Sequence, residues 1–163
     1  MGQDMKILVF SDSHGRTVDI YDAIERETPD GVIHLGDYTE DVRELRRAYA
    51  YSSMPIYAVR GNNDFDSDFP MFIVITLGGV KMYLSHGHRE RVYGMSSGVM
   101  ANRARENGCV LAMFGHTHRL FLEQIDDIMV FNPGSISLPR GGKKSYGRLT
   151  IEDGGFTIEP MFV

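Results

Sequence analysis

The sequence contains one cysteine, no long apolar run and no strongly basic stretch. The single cysteine, Cys109, cannot form a disulfide within the chain. It opens the apolar run CVLAMF, so we expect a small buried residue in a reducing compartment. No apolar run approaches the roughly 20 residues that a membrane-spanning helix needs. These absences predict a soluble cytoplasmic protein with no membrane partner.

The charge balance is acidic. The sequence has 17 Lys and Arg residues against 22 Asp and Glu residues, which gives a net charge of -5. No cluster of Lys and Arg is long enough to follow the backbone of a duplex, so dedicated binding to duplex nucleic acid is not expected. A chain of 163 residues fits one compact domain, and we predict a single domain over residues 1–163.

The first half of the chain alternates in period. Apolar runs MKILVF, GVIHL and PIYAV are separated by helical patterns over residues 17–27 and 41–50. This βαβαβ order predicts parallel strands. From FIVITLGGVKMYLS onward the pattern favours antiparallel hairpins, with a third helix over residues 97–107 before VLAMF. We therefore expect an α/β fold in which two packed sheets have helices outside them.

Polar residues of metal-binding type follow five of the apolar runs. Parallel strands gather their ligands at the carboxyl ends, so these residues should meet. His34 lies inside a strand and is predicted to be a core histidine. The candidate ligands are Asp12, His14, Asp37, Asn62, His86, His116 and His118, and His88 would be an eighth.

The donor types indicate the metal. Carboxylate, amide and imidazole ligands without a thiolate suit Mn²⁺, Fe, Zn²⁺ or Ni²⁺ better than Ca²⁺ or a soft metal. Seven ligands are too many for one ion, whereas two ions about 3.5–4 Å apart would use them all. In extended backbone, Asp12 and His14 would point to one side, as would His116 and His118. Glycines 36, 61, 87 and 115 are expected to let backbone approach a phosphate-sized anion.

These motifs carry a family resemblance. DSH, GD, GNND, SHGH and GHTH, in this order, resemble the motif set of the calcineurin-like metallophosphoesterase family, with the small single-domain phosphodiesterase branch most similar. The resemblance runs from Asp12 to Ser135 in NPGS. It implies a four-layer αββα sandwich with two mixed sheets. It also implies hydrolysis of a phosphate ester, a diester rather than a monoester, by a hydroxide that bridges two metal ions.

The resemblance also implies a ligand set for each ion, with one aspartate shared. The first ion would be bound by Asp12, His14, Asp37 and His118. The second would be bound by Asp37, Asn62, His86 and His116. We take Mn²⁺ as the favoured ion and leave Fe, Zn²⁺ and Ni²⁺ open.

Asn63 departs from the family pattern. Many members have a histidine here that contacts phosphate and is thought to protonate the leaving oxygen. The Asn63 amide is predicted to serve catalysis by donating a hydrogen bond to a phosphate oxygen, but it cannot act as a general acid. His88 is predicted to replace that histidine in catalysis, with an orienting role beside the metals as the alternative. Asp64, without its histidine partner, is expected to brace the loop.

Basic residues near these motifs suggest where substrate binds. Arg89 and Arg91 follow His88 and are predicted to contact a small phosphodiester, whereas Arg140, Lys143 and Lys144 are better explained as a solvated hairpin tip. The substrate could be a nucleotide-derived diester, a cyclic nucleotide or a phospholipid fragment. The branch leaves a homodimer open. The alternative function is an interaction scaffold, since a retromer subunit is similar in fold to this branch.

Overall fold

A computed structural model describes residues 4–65, 68–92 and 98–163. Within these residues there are three helices and ten strands. The helices are α1 (Val18–Glu27), α2 (Thr39–Ala48) and α3 (Gly98–Glu106). The strands are β1 (Met5–Phe10), β2 (Gly31–His34), β3 (Ile56–Ala58), β4 (Phe72–Leu77), β5 (Val80–Ser85), β6 (Leu111–Met113), β7 (Leu120–Ile125), β8 (Ile128–Pro133), β9 (Ser145–Glu152) and β10 (Gly155–Phe162).

The first sheet has the strand order β10-β9-β1-β2-β3. Strands β1, β2 and β3 run parallel, as the βαβαβ pattern predicts. The C-terminal hairpin β9-β10 lies on the side of β1 away from β2, where β9 pairs antiparallel with β1. The carboxyl ends of the three parallel strands therefore lie at the same end of this sheet.

The second sheet has the order β4-β5-β6-β8-β7. The predicted hairpin β4-β5 is confirmed, and β7 pairs antiparallel with β8. The expectation of an antiparallel second half is wrong for the centre of this sheet, because β5, β6 and β8 run parallel. The connection through α3 returns the chain to the starting end of the sheet, as helical crossovers do. Both sheets are mixed, which confirms the predicted fold class.

Burial separates the chain into layers. Along β1, Ile7 and Val9 face the second sheet, whereas Leu8 and Phe10 face the helices α1 and α2. All four are at most 1% exposed, as expected for a strand covered on both faces. Helix α3 covers the outer face of the second sheet through residues such as Met100. None of the helices in the described ranges is long and apolar enough to cross a membrane.

The helix boundaries follow the predicted pattern with small shifts. Helix α1 begins one residue after the predicted start, and α3 falls inside the predicted range, whose residue 97 lies outside the described residues. Helix α2 begins at Thr39, two residues before the prediction. The reason is a contact from a distant loop, because the Asp64 carboxylate accepts the amide proton of Thr39 at 2.9 Å. Local sequence does not show this cap.

Candidate metal centre

The loops that follow β1, β2, β3, β5 and β6 meet beyond the carboxyl ends of these strands, at one end of the two sheets. Within each sheet, backbone hydrogen bonds tie neighbouring loops together. The amide of Asp12 donates to the carbonyl of Gly36 at 2.9 Å, and the amide of Gly115 donates to the carbonyl of His86 at 2.9 Å. The predicted ligands are thus carried by loops that support one another.

The four side chains predicted for the first ion converge. Nε2 of His118 lies 3.2 Å from Oδ1 of Asp12, and Nε2 of His14 lies 3.9 Å from the same oxygen. His14 Nε2 is also 3.8 Å from Oδ2 of Asp37 and 3.4 Å from Nε2 of His118. Donors that share an ion at about 2.0–2.2 Å lie roughly 3 to 3.5 Å apart, so this group could close on one ion with small adjustments.

The side chains predicted for the second ion also converge. Nε2 of His86 lies 3.6 Å from Oδ2 of Asp37 and 3.1 Å from Oδ1 of Asn62. The same amide oxygen is 3.0 Å from Nδ1 of His116. His86 is almost as close to Asp12, at 3.8 Å from Oδ1. The structure therefore brings all seven predicted ligands into one cluster.

Backbone carbonyls fix the orientation of two of the imidazoles. Nδ1 of His86 donates to the carbonyl of Leu35 at 2.7 Å, and Nδ1 of His118 donates to the carbonyl of Leu138 at 2.7 Å. With the proton held on Nδ1, each Nε2 presents a lone pair to the centre. Burial alone would lower the pKa of His86, but the nearby carboxylates outweigh it and raise that pKa. The Asp12 carboxylate likewise raises the pKa of His118.

Asp12 provides the test of whether a metal fits. The residue is fully buried, and its Oδ2 accepts hydrogen bonds from Ser11 Oγ at 2.7 Å and the His116 amide at 3.1 Å. Its Oδ1 has no hydrogen-bond partner within the described part of the chain. Burial raises the pKa of this carboxyl, but His118, His86 and Ser11 together lower it. An ionised, buried oxygen without a donor is costly, and a divalent cation would supply the missing partner.

Asp37 is held by the residue that departs from the family pattern. The Asn63 backbone amide donates to Oδ1 of Asp37 at 3.0 Å, and its side-chain Nδ2 donates to Oδ2 at 2.7 Å. Burial raises the pKa of Asp37, but His86 and Asn63 outweigh it and hold the pKa well below the ordinary value. The Asn63 amide therefore orients a predicted bridging carboxylate.

Asp64 braces the loop, as predicted. Its carboxylate accepts backbone amide protons from Gly61 at 2.7 Å, Asp37 at 2.8 Å and Thr39 at 2.9 Å. Three donors from two loops converge on one ionised side chain. Hydrogen bonds to a charged group are worth about 1.5–3 kcal/mol each, so this contact fixes the distance between the loops.

The backbone of the centre is strained, and this corrects one expectation. Five predicted ligands have positive φ angles, a region that costs non-glycine residues of order 1 kcal/mol or more. The ligand pairs are therefore not aligned by extended backbone. Tight turns after the strands orient them, with φ of 56° at Asp12, 47° at His14, 47° at Asp37, 71° at His116 and 59° at His118.

Two of the glycines expected beside the ligands make room for protein atoms. A Cβ on Gly61 would overlap Oδ1 of Asp37, and a Cβ on Gly115 would overlap Ser11 Oγ and lie 2.8 Å from Oδ2 of Asp12. Protein atoms fill the space beside both glycines, and the expected approach of their backbone to an anion stays a prediction. The two glycines let neighbouring loops pack directly on the aspartates.

His88 lies beside the cluster. Its ring centroid is 5.5 Å from that of His86 and 6.2 Å from that of His116. Its Nδ1 is buried without a hydrogen-bond partner among the described residues. Burial, together with the charge of His86, lowers the pKa of His88. The side chain is therefore a neutral imidazole at neutral pH in the absence of metal.

The two predicted substrate-binding arginines are both exposed. The Arg91 amide donates to the His88 carbonyl at 3.3 Å, which places Arg91 in the turn after His88. Arg89 borders a cavity of about 260 Å³ with Arg103 and Glu106. None of the predicted metal ligands is among the described residues that line this cavity. At the predicted solvated tip, Lys144 forms an ion pair with Asp19 at 3.1 Å.

The sequence did not predict several residues that hold the centre. Ser135 Oγ and Ser137 Oγ donate to the carbonyl of Asp12 at 2.8 Å and 3.0 Å, across more than a hundred residues. Nδ2 of Asn132 donates to the carbonyl of Gly115 at 3.0 Å. His34 is fully buried and hydrogen-bonded, as predicted. In the sequence, the turn-forming segment NPGSIS is the feature that could have drawn attention to Ser135 and Ser137.

Comparison with known proteins gives the family. The Calcineurin-like phosphoesterase superfamily domain matches residues 5–154. The chain is 33% identical to probable metallophosphoesterase YsnB of Bacillus subtilis strain 168, covering 94% of this chain and 89% of YsnB. It is 30% identical to phosphodiesterase YfcE of Escherichia coli K12, covering 89% of this chain and 87% of YfcE.

Solved structures show the same fold. A predicted phosphoesterase from Streptococcus pneumoniae TIGR4 matches with a TM-score of 0.82 and 29% identity, over 99% of this chain and 91% of that protein. Wild-type Vps29 in complex with Zn²⁺, from Entamoeba histolytica, matches with a TM-score of 0.73 and 21% identity, over 97% and 99% of the two chains. This second likeness concerns the fold alone. With its domain match, its relatives and its converging donors, the chain belongs to the calcineurin-like phosphoesterase superfamily.

Proposed function

We propose that this protein is a metal-dependent phosphodiesterase that hydrolyses a small phosphodiester. The observation that carries the proposal is Oδ1 of Asp12, a buried carboxylate oxygen without a hydrogen-bond donor in the described ranges and with three histidine Nε2 atoms within 4 Å. A divalent cation held between these donors would give this oxygen the partner that it lacks. The names of YsnB and YfcE support phosphoesterase chemistry, and that of YfcE supports the diester.

The predicted ligand sets would hold two ions. Asp12, His14, Asp37 and His118 would bind one, and Asp37, Asn62, His86 and His116 would bind the other. Divalent ions at these positions would supply Lewis acidity and lower the pKa of water. We propose Mn²⁺ as the physiological metal, with Fe, Zn²⁺ and Ni²⁺ as competitors, because the donors are nitrogen and oxygen only.

The chain itself supplies orientation and charge. Two aspartates only partly neutralise two divalent ions, so the loaded centre would attract a phosphate anion to an otherwise acidic protein. The carbonyls of Leu35 and Leu138 keep His86 and His118 turned toward the centre. Asn63 keeps both oxygens of Asp37 in place.

The leaving group must be protonated without the usual histidine. Asn63 has no acidic proton, and its Nδ2 is bonded to Asp37. We propose His88 as the group nearest to this role, acting through its imidazole N–H or through an ordered water. A neutral imidazole is a weak acid, so esters with a good leaving group should be cleaved much faster than esters of alcohols. We propose that Arg89 and Arg91 in the same turn contact the substrate, which Arg→Ala variants would show as a raised KM.

The leaving-group argument gives the experiment. Mn²⁺-loaded protein would be assayed on an activated aryl phosphodiester and on an alkyl or nucleoside diester, with Asn63→His alongside. We expect rapid cleavage of the aryl ester, slow cleavage of the alkyl ester, and faster alkyl cleavage by Asn63→His. Equal handling of both esters by the wild type would show that another group donates the proton. No cleavage of either ester would contradict the proposed function.

The second candidate is an interaction scaffold. Its support is the likeness in fold to solved Vps29 structures. The complete set of seven donor residues favours the enzyme. Asp37→Ala separates the two, because it should abolish metal-dependent hydrolysis, whereas a scaffold would keep its partners and its cellular role after the metals are lost.

The cellular setting is also a proposal. Cys109 is a buried free thiol, which suits the reducing cytoplasm. We propose a homodimer as the assembly to be tested by sedimentation. Salt-dependent binding to duplex DNA is not expected from the net charge of -5.

A further inference from the structure

Behind the metal centre, three buried polar side chains form a continuous chain of hydrogen bonds. His34 and Ser13 are fully buried, and Asp41 is 6% exposed. Nε2 of His34 lies 2.8 Å from Ser13 Oγ, and Ser13 Oγ lies 2.6 Å from Oδ2 of Asp41. None of the three belongs to the predicted ligand set. We refer to His34, Ser13 and Asp41 as the relay.

The direction of each hydrogen bond follows from its neighbours. The amide of Gly36 donates to Nδ1 of His34 at 3.1 Å, so Nδ1 is the acceptor and the proton lies on Nε2. Nε2–H therefore donates to Ser13 Oγ, and the serine hydroxyl donates to Asp41. Oδ2 of Asp41 also accepts the amide proton of Gly15 at 2.8 Å. Each hydrogen bond of the relay therefore has an assigned donor and acceptor, which leaves one arrangement of the protons.

The relay joins the loops that carry the predicted first-ion ligands. Ser13 and Gly15 flank His14, so two of the relay contacts lie on either side of that ligand. Gly36 precedes the shared Asp37 and is anchored by His34. Asp41 belongs to the first turn of α2, which gives the relay a rigid base. His14 and Asp37 both have positive φ, and such backbone persists only where surrounding contacts determine it.

The ligands predicted for the second ion have different supports. His86 is oriented by the carbonyl of Leu35 and contacts Asn62. Asn62 lies in the loop that Asp64 braces. A defect in the Ser13 and Asp41 contacts should therefore reach the first ion directly, through the loop that carries His14. It should reach the second ion only indirectly, through the segment of residues 34–37 that holds the Leu35 carbonyl and the shared Asp37.

We propose that His34, Ser13 and Asp41 are positioning residues that set the affinity of the first metal ion, bound by Asp12, His14, Asp37 and His118, and leave the second ion comparatively unaffected. This inference rests on the proposed two-metal function. Outer hydrogen-bond partners of metal ligands are commonly worth about 10- to 100-fold in metal affinity. We expect a loss of that size at one of the two sites.

The test compares Ser13→Ala with the matched control Ser145→Ala. Ser145 is also buried and donates through Oγ, to the carbonyl of Pro133 at 2.7 Å, in strand β9. Mn²⁺ binding to chelator-treated protein would be measured by calorimetry, and EPR would distinguish a magnetically coupled Mn²⁺ pair from a single ion. We expect wild type and Ser145→Ala to bind two ions, and Ser13→Ala to bind one ion about 10- to 100-fold more weakly with loss of the coupled signal.

A second pair of variants covers the case in which Ser13→Ala fails to fold. A Gln side chain can place its amide donor near the Nε2 position, and an Asn side chain can place its oxygen near the Nδ1 position. His34→Gln should therefore keep the first ion better than His34→Asn, although His34→Asn retains the bond to Gly36.

The outcomes separate the two proposals. Binding of fewer than two ions by the wild type would contradict the proposed function. If Ser13→Ala or His34→Asn bound two ions as tightly as the wild type, the proposed positioning role of the relay would be overturned. Equal weakening of both ions would also overturn it, because that result describes general loosening of the fold.

Discussion

Gly61→Ala is the substitution for which the structure gives the sharpest expectation. Gly61 is buried, and its φ lies outside the left-handed region, so an alanine costs nothing in backbone conformation. The added methyl group would overlap Oδ1 of Asp37 and lie 2.8 Å from the Asp37 backbone nitrogen and 2.9 Å from its Cγ. Asp37 is the carboxylate that the two predicted ions share.

The magnitude follows from the displacement that is needed. Nonbonded heavy atoms favour separations of about 3.5–4 Å, so the Asp37 loop must move by about 1 Å. Such overpacking costs about 1–3 kcal/mol, and the reduced freedom of the unfolded chain offsets about 0.4–1 kcal/mol of it. We therefore expect a net loss of about 1–2 kcal/mol in the free energy of unfolding. A displacement of about 1 Å at a reacting centre can lower the rate by about 100-fold.

Denaturant unfolding and aryl diester hydrolysis would be measured together, with Gly155→Ala as the control. At Gly155 the nearest atom to a new Cβ is the carbonyl oxygen of Glu152 at 3.5 Å, an ordinary contact. The control should stay within about 0.5 kcal/mol of the wild type and keep its activity. If Gly61→Ala retained both stability and activity, the tight packing of this loop against Asp37 would be refuted.

Three further predictions concern the same centre. Asp64→Ala should lower the free energy of unfolding by about 3 kcal/mol or more in denaturant unfolding, because three backbone amides lose a charged acceptor. As the control, Asp68→Ala removes an exposed carboxylate and should cost less than about 1 kcal/mol. Equal costs would contradict the bracing role of Asp64. Chelation should lower the melting temperature by about 10–20 °C relative to protein with each Mn²⁺ at about 100 times its Kd, because binding at that excess adds about 2.7 kcal/mol at each of the two sites. An unchanged melting temperature would argue against bound metal. In chelated protein, burial, followed by the charge of His86, lowers the pKa of His116 to about 4, whereas Asp12 raises that of His118. The unfolded chain therefore takes up the His116 proton first, so this residue lowers stability as pH falls from about 6.5 to about 4, and the His118 contribution has the opposite sign. NMR titration of the imidazoles should show His118 protonating at higher pH than His116, and the reverse order would contradict the geometry.

The ligands could be predicted from sequence because each follows a strand directly. Strand ends are short-range features, and parallel strands bring their carboxyl ends together whatever the rest of the chain does. The contacts that hold the ligands could not be predicted in the same way. Ser135 reaches Asp12 from the loop after β8, 123 residues later in the chain, and the His34–Ser13–Asp41 relay crosses three elements. Their partners are defined only by the packed tertiary structure.

The same distinction applies to the fold. Hydrophobic period and turn residues identified the βαβαβ half and each hairpin, because those features are local. They did not show that β9 and β10 return to the first sheet, or that β6 and β8 run parallel to β5. Strand neighbours across a crossover depend on which apolar faces pack together. The left-handed turns at Asp12 and His14 were missed for a similar reason, since the loops around them impose that backbone.

The central claim is that the cluster around Asp12 and Asp37 binds two divalent ions and that hydrolysis depends on them. The most direct measurement titrates Mn²⁺ into chelator-treated protein and records bound metal per chain and aryl phosphodiester hydrolysis on the same samples, with Asp37→Ala in parallel. The account predicts that activity appears as occupancy rises toward two ions per chain, and that Asp37→Ala loses both binding and activity. Full activity without bound metal, or an Asp37→Ala variant that hydrolyses the ester like the wild type, would contradict it.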